Sequence, residues 1–168
     1  MKLTKIISGG QAGVDRGALD AALRSDFPCG GWCPPGREAE DGRIADSYPL
    51  TEMDHGGYRE RTIKNVVDSD ATLIITFGEP EGGTETTLRQ CVNRKKPHLL
   101  INANEVPLDR AAVSVTAFIE EHSVATLNVA GPRASKVPTA HAYALELVSR
   151  VVSRSTRAQR VSLDDLPD

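Results

Sequence analysis

The sequence predicts an α/β fold, a Rossmann-like three-layer sandwich on a mostly parallel sheet of about five strands. Three observations predict it. Apolar runs of strand length alternate with segments of helical period, which is the signature of βαβ units. The run Ala71 to Phe77 is apolar nearly throughout, as a central parallel strand covered on both faces must be. Several strands open directly into glycine-rich turns ahead of helices, where such folds hold ligands. At 168 residues the chain has room for one such domain, assigned to residues 1–153, and hence for one main site.

In chain order, Leu3 to Ser8 forms the first strand. A helix follows from about Ala12 to Arg24, because Val14, Ala18 and Ala22, with Leu19 and Leu23, fall on one buried stripe. A short strand at Cys29 to Cys33 leads into Pro34 to Gly57, rich in Pro, Gly and charge and too long for an ordinary connection. Such a segment is a lid, a binding loop or disordered. The next helix is Tyr58 to Asp68, followed by the central strand. Gly78 to Gly83 opens into a helix over Thr84 to Arg94 with Leu88, Cys91 and Val92 inward, and Lys95-Lys96-Pro97 stops it. His98 to Asn102 is a strand, Ala111 to Glu121 an amphipathic helix, and Val124 to Ala130 the last strand. The final helix, Thr139 to Val152, shows Ala144, Leu147, Val148, Val151 and Val152 at helical spacing. Beyond it the apolar pattern fades, so residues 154–168 are expected to be a tail that is mobile or packs on a partner subunit.

Composition narrows the function. A formal charge of −3 and a pI near 5.8 supply no field to gather nucleic acid, and three Phe, three Tyr and one Trp form no stacking platform. No apolar stretch is long enough to cross a bilayer, and Met1 to Ile7 runs straight into a strand without a secretory signal. A cytoplasmic protein without membrane or nucleic-acid partners is expected. Three cysteines cannot all pair within the chain, which suits a reducing compartment.

Three turns fall at carboxyl ends of strands: Ser8-Gly9-Gly10-Gln11-Ala12-Gly13, Gly82-Gly83-Thr84-Glu85-Thr86-Thr87, and Asn128-Val129-Ala130-Gly131-Pro132-Arg133. Glycine there lets a phosphate approach the backbone and permits positive φ. Each turn alone is also how a tight connection is built; their shared edge makes them a candidate site. No G-x-x-x-x-G-K-[ST] occurs, the first turn is not G-x-G-x-x-G, and Cys33-Pro34 lacks the acid a dinucleotide ribose meets, so NAD and Walker-type ATP chemistry are rejected.

Among nearby cations, Arg133 and Arg37 are expected to reach an anion, since guanidinium grips phosphate bidentately. Arg61 and Asn65 share a helix face, where a solvated surface is the commoner role. Asp15 sits in a first helical turn, which its interaction with the helix dipole explains. Glu38, Glu40 and Asp41 fit a solvated acidic loop better than an acid–base group. Cys29 and Cys33 lack a second pair, and the four histidines share no motif, so neither a metal site nor a catalytic constellation is assigned. The expected ligand-binding set is Ser8, Gly9, Gly10, Gln11, Gly13, Arg37, Gly82, Gly83, Thr84, Gly131 and Arg133.

The segments Ile7 to Arg16 and Gly30 to Gly42 resemble the molybdenum carrier family, the molybdenum cofactor carrier proteins of a circularly permuted YpsA-like branch of the SLOG superfamily. Tyr48-Pro49-Leu50, Arg61-Thr62 with Asn65-Val66, Asp68 to Thr72, Gly82-Gly83-Thr84 and Leu127 to Arg133 extend the resemblance over nearly everything before the tail. It implies a Rossmann-like fold, a homo-oligomer, and binding of the molybdenum cofactor or another nucleotide-like phosphate compound. Lonely-guy-type phosphoribohydrolases of the same superfamily carry a glutamate three residues beyond the Gly-Gly-x-Gly-Thr threonine. Thr87 holds that place here, which favours a carrier or sensor over a nucleoside-phosphate hydrolase, the alternative unless Glu85 or a loop carboxylate substitutes.

Overall fold

The computed structural model describes residues 2–164. The chain runs β1 (Lys5–Ile7), α1 (Val14–Arg24), β2 (Cys29–Gly30), β3 (Trp32–Cys33), a 3-10 turn (Pro35–Arg37), β4 (Glu38–Ala39), β5 (Gly42–Arg43) and β6 (Thr51–Glu52). Then follow α2 (Tyr58–Asp68), β7 (Ala71–Thr76), α3 (Gly82–Asn93), β8 (His98–Asn102), α4 (Leu108–Glu121), β9 (Thr126–Ala130) and α5 (Ala140–Asp164). Five strands form an all-parallel sheet in the order β2-β1-β9-β7-β8. The last strand therefore lies in the middle. Joining the end of α5 to β1 and opening the chain before β9 would number the strands 3-2-1-4-5 across the sheet, the doubly wound order. The fold is that arrangement with its ends moved.

Alternation along β7 sets up the layers. Leu73 and Ile75 enter the large core with α1, α4 and α5, while Ile74 meets Val66 of α2 and Cys91 of α3 on the other face. With both faces covered, β7 is buried at every residue, as its composition requires. Opposite it, Ala140, Ala144, Leu147, Val148, Val151 and Val152 form the buried stripe of α5.

Two regions depart from the sequence reading. The helix expected to end at Val152 continues unbroken to Asp164; of the expected tail, residues 165–168 lie outside the described residues. Ser153 to Arg160 lacks Gly and Pro, and extending an existing helix adds a hydrogen bond per residue without a new nucleus. The strand expected over Cys29 to Cys33 is split at Gly31, whose φ is 127° and where a Cβ would meet the Ser8 carbonyl oxygen at 2.1 Å. Up to Gly30 the chain pairs with β1; beyond Gly31 it turns away, and β3 pairs with β6.

The Pro34 to Gly57 excursion is thus an ordered subassembly. A β4–β5 hairpin and the β3–β6 pair enclose a small core of Cys33, Ala39 and Ile44 backed by Tyr48 and Leu50. At its centre lies Arg37. Its guanidinium donates to the carbonyl oxygens of Ile44 (3.0 Å), Leu50 (3.2 Å), Ala45 (2.8 Å) and Tyr48 (2.8 Å).

Candidate ligand cavity

A cavity of about 770 Å³ opens beyond the carboxyl ends of β7 and β9. Thr76 and Phe77 line it from β7, and Ala130 to Arg133 from the end of β9. In the unpermuted numbering these are strands 4 and 1, the switch point at which an open α/β sheet leaves a crevice. The amino end of α3 contributes Gly83, Thr84 and Thr87, the start of α2 contributes Tyr58, Arg59, Arg61 and Thr62, the turn after β1 contributes Gln11, and the first turn of α1 contributes Asp15.

Of the expected site residues, Gln11, Gly83, Thr84, Gly131 and Arg133 come together here. Gly82 precedes them as the first residue of α3, outside the lining. Gly9 lines a smaller pocket alongside, of about 10 Å³, shared with Asp15 and Arg61. The others shape the turns. Ser8 Oγ donates to the Val129 carbonyl at 2.6 Å, and the Gly10 carbonyl accepts from the Arg16 guanidinium at 3.1 Å. Gly13 forms an antiparallel bridge with Arg133, reinforced by Val14 N–H to the Pro132 carbonyl (3.2 Å) and Ala134 N–H to the Ala12 carbonyl (3.0 Å). The first and third turns are therefore sewn to each other by backbone bonds.

Arg37 does not line the cavity; it is 7% exposed, and four of its five N–H donors are on carbonyls of its own loop. It orders the loop instead.

Arg61 and Asp15, read from sequence as surface and dipole residues, form a buried ion pair at 3.1 Å across the mouth of the first turn. Arg61 lies so close over Gly9 that a Cβ there would sit 1.6 Å from Nη1. Asp15 Oδ2 also accepts the Gln11 N–H at 3.3 Å. Burial pushes the Asp15 carboxyl above its usual range, against the lowering effect of Arg61 and the hydrogen bonds. Asn65, one turn on from Arg61, is buried too, accepting from Trp32 N–H (2.8 Å) and donating to the Trp32 carbonyl (3.0 Å). Spacing along α2 placed Arg61 and Asn65 on one face; nothing local could show that β3 and α1 would cover it.

Charge in the cavity is mixed, and two of its cations, Arg59 and Arg133, make no ion pair among the described residues. Lys136 lies 3.9 Å from Glu81, and Arg61 is held by Asp15. Arg133 makes no ion pair among the described residues; its guanidinium stacks 4.5 Å from the centroid of the Tyr58 ring. The start of α3 also lines the cavity; the Gly82 and Gly83 N–H groups have no preceding turn to bond and lie at the positive end of the helix dipole, while the Thr84 N–H donates to the Glu81 carbonyl at 3.0 Å.

Asp15, Glu79 and Glu81 line the cavity, whereas Glu85, Glu40 and Asp41, singled out in the sequence, are engaged elsewhere. Glu85 is outside the lining and pairs with Arg89 at 2.6 Å, while Thr87 does line the cavity and donates to the Gly83 carbonyl at 2.9 Å. Glu40 accepts from Ser135 N–H (3.1 Å) and Oγ (2.5 Å). Asp41 is held by Arg16 at 2.5 Å, and hydrogen bonding to that guanidinium lowers its carboxyl pKa. Cys33 is buried in the loop core, and burial raises its thiol pKa. Among the described residues no group of three or more His, Cys, Asp or Glu could hold a metal ion, and no helix is long and apolar enough to cross a membrane.

A permuted doubly wound sheet with a cavity of mixed polarity at its switch point defines a Rossmann-like protein. The chain belongs to the circularly permuted YpsA SLOG family, whose model matches residues 6–152. It is similar to a crystal structure, at 1.45 Å resolution, of a "putative molybdenum carrier protein" from Syntrophus aciditrophicus SB. The two are 43% identical, with a TM-score of 0.88, over 90% of this chain and 96% of that one. No curated protein matches the sequence.

Proposed function

We propose that the chain is a carrier of the molybdenum cofactor, holding the cofactor's phosphate in the cavity at the β7 and β9 ends. The observation that carries this is that two anion-attracting features line the same cavity: the Arg133 guanidinium, which makes no ion pair among the described residues, and Gly83 in the first turn of α3. The 43% identical neighbour named as a molybdenum carrier supplies the choice of cargo. Gly131 lets the β9 turn sit close against α1 and β7, which aims Arg133 across the opening. Carriage needs only retention and exclusion of oxidant, so no residue is given a catalytic role.

The test is binding of molybdenum cofactor released from a molybdoenzyme to the purified full chain, read by equilibrium dialysis and by the rate of cofactor oxidation. Binding at micromolar concentration with slowed oxidation is expected. Arg133→Ala should weaken it about tenfold or more, the worth of one charge-assisted hydrogen bond. Absence of both binding and protection would overturn the reading, as would full binding by Arg133→Ala together with Gly83→Val.

A further inference from the structure

Arg133 is a half-buried residue of the cavity wall, and among the described residues its guanidinium makes neither an ion pair nor a hydrogen bond. All five of its N–H donors are left for a ligand or water. What holds so long a side chain in place is the Tyr58 ring, whose centroid lies 4.5 Å from the guanidinium carbon. Two further contacts hold Tyr58. It is the first residue of α2, where the Glu60 carboxylate accepts the Gly57 N–H at 2.8 Å and fixes the start of the helix. The Arg61 guanidinium, anchored on Asp15 at 3.1 Å, lies 6.0 Å from the centroid of the same ring. The backbone of Arg133 is fixed as well, through its bridge to Gly13. Both ends of the arginine are thus set while its donors stay unused.

We infer that Tyr58 is a positioning residue for anion binding: its ring holds the Arg133 guanidinium ready in the cavity, so that the arginine meets an oxyanion such as a phosphate with its rotamer already chosen. An arginine without that support would lose its side-chain freedom on binding, and the affinity would fall by that cost. The attraction is to the face of the ring and not to the hydroxyl, so phenylalanine should serve in place of Tyr58 and an aliphatic residue should not. The inference rests on the cavity being the anion site proposed above; it does not depend on the cargo containing molybdenum.

The arginine Nε–Hε spectrum of the full chain, with the Arg133 cross-peak assigned by its loss in Arg133→Lys, tests it during titration with inorganic phosphate. Protons over an aromatic face are shielded by the ring current, so this cross-peak should lie upfield of the exposed arginines in wild type and Tyr58→Phe, and among them in Tyr58→Leu. Phosphate affinity, read from the Gly83 and Thr84 amide shifts, should fall about two- to fivefold in Tyr58→Leu, the worth of one cation–π contact, and stay within about 1.5-fold in Tyr58→Phe. On an Arg133→Ala background the leucine substitution should change the affinity by less than about 1.5-fold, because no guanidinium is left to position; a merely structural role would lower it with or without the arginine. Should Tyr58→Leu fail to fold, Tyr58→Met takes its place in both comparisons. An unshifted wild-type cross-peak, wild-type affinity in the ring-less variant, or an equal loss on both backgrounds would overturn the inference and leave the anion site standing. Gly83 and Thr84 amides unmoved by phosphate in the wild type would overturn the anion site and the inference together.

Discussion

Replacing Arg37 with methionine removes the guanidinium while keeping most of the side-chain volume, so it isolates what the four carbonyl bonds contribute. A hydrogen bond to a charged group is worth about 1.5–3 kcal/mol. The four share one planar group near the surface, where water can replace some of them. Their joint loss is therefore set at about 3–5 kcal/mol, the range for breaking a buried charged network. For a chain of this size that corresponds to a fall in Tm of about 6–20 °C. Circular dichroism melting and urea unfolding measure it directly. Anion binding, assayed well below the variant's Tm, should stay within about threefold of wild type. A Tm unchanged within about 2 °C, with anion binding weakened tenfold, would refute the structural role and return Arg37 to the ligand.

Two further outcomes follow from the same geometry. Gly131→Ala places a Cβ 2.7 Å from the Ile75 carbonyl oxygen and 2.6 Å from Val14 Cγ2, neither the loose end of a flexible chain, so it should cost about 1–3 kcal/mol by urea unfolding. The same change should weaken ligand binding by displacing Arg133; a variant as stable as wild type would contradict the packing. Asp15 has a folded-state pKa raised above its usual 3.8, so the protonated form is favoured by folding. Its contribution is fully present below pH 3.8 and is lost as pH rises through the folded value. The stability difference between wild type and Asp15→Asn should accordingly fall across that window in pH-dependent urea titrations, and a difference that rises with pH would show the sign to be wrong.

Elements carried by local pattern were legible. The bounds of α2 and β8 match their apolar periodicity and breakers, and β7 is buried as its composition demands. The carboxyl-edge turns meet at one cavity because parallel strands bring their ends to one side of the sheet, a rule that needs no side-chain detail. What was not legible depends on partners distant in sequence. Arg37 resembles any loop arginine until four carbonyls from Ile44 to Leu50 are folded around it. Arg61 and Asp15 lie 46 positions apart, and only the packing of α2 over the first turn turns two surface-patterned residues into a buried pair. The end of α5 was misread for a different reason: fading apolar content marks the end of burial within the chain, and a run without Gly or Pro extends an existing helix beyond it.

Backbone amide NMR of the full chain titrated with molybdenum cofactor under anaerobic conditions examines the cavity residue by residue. Saturable shifts clustered at Gly83, Thr84, Gly131 and Arg133 are expected, with resonances of the Arg37 loop unmoved. Shifts confined to that loop, or a spectrum unchanged at saturating cofactor, would contradict the assignment of the β7 and β9 ends as the carrying site.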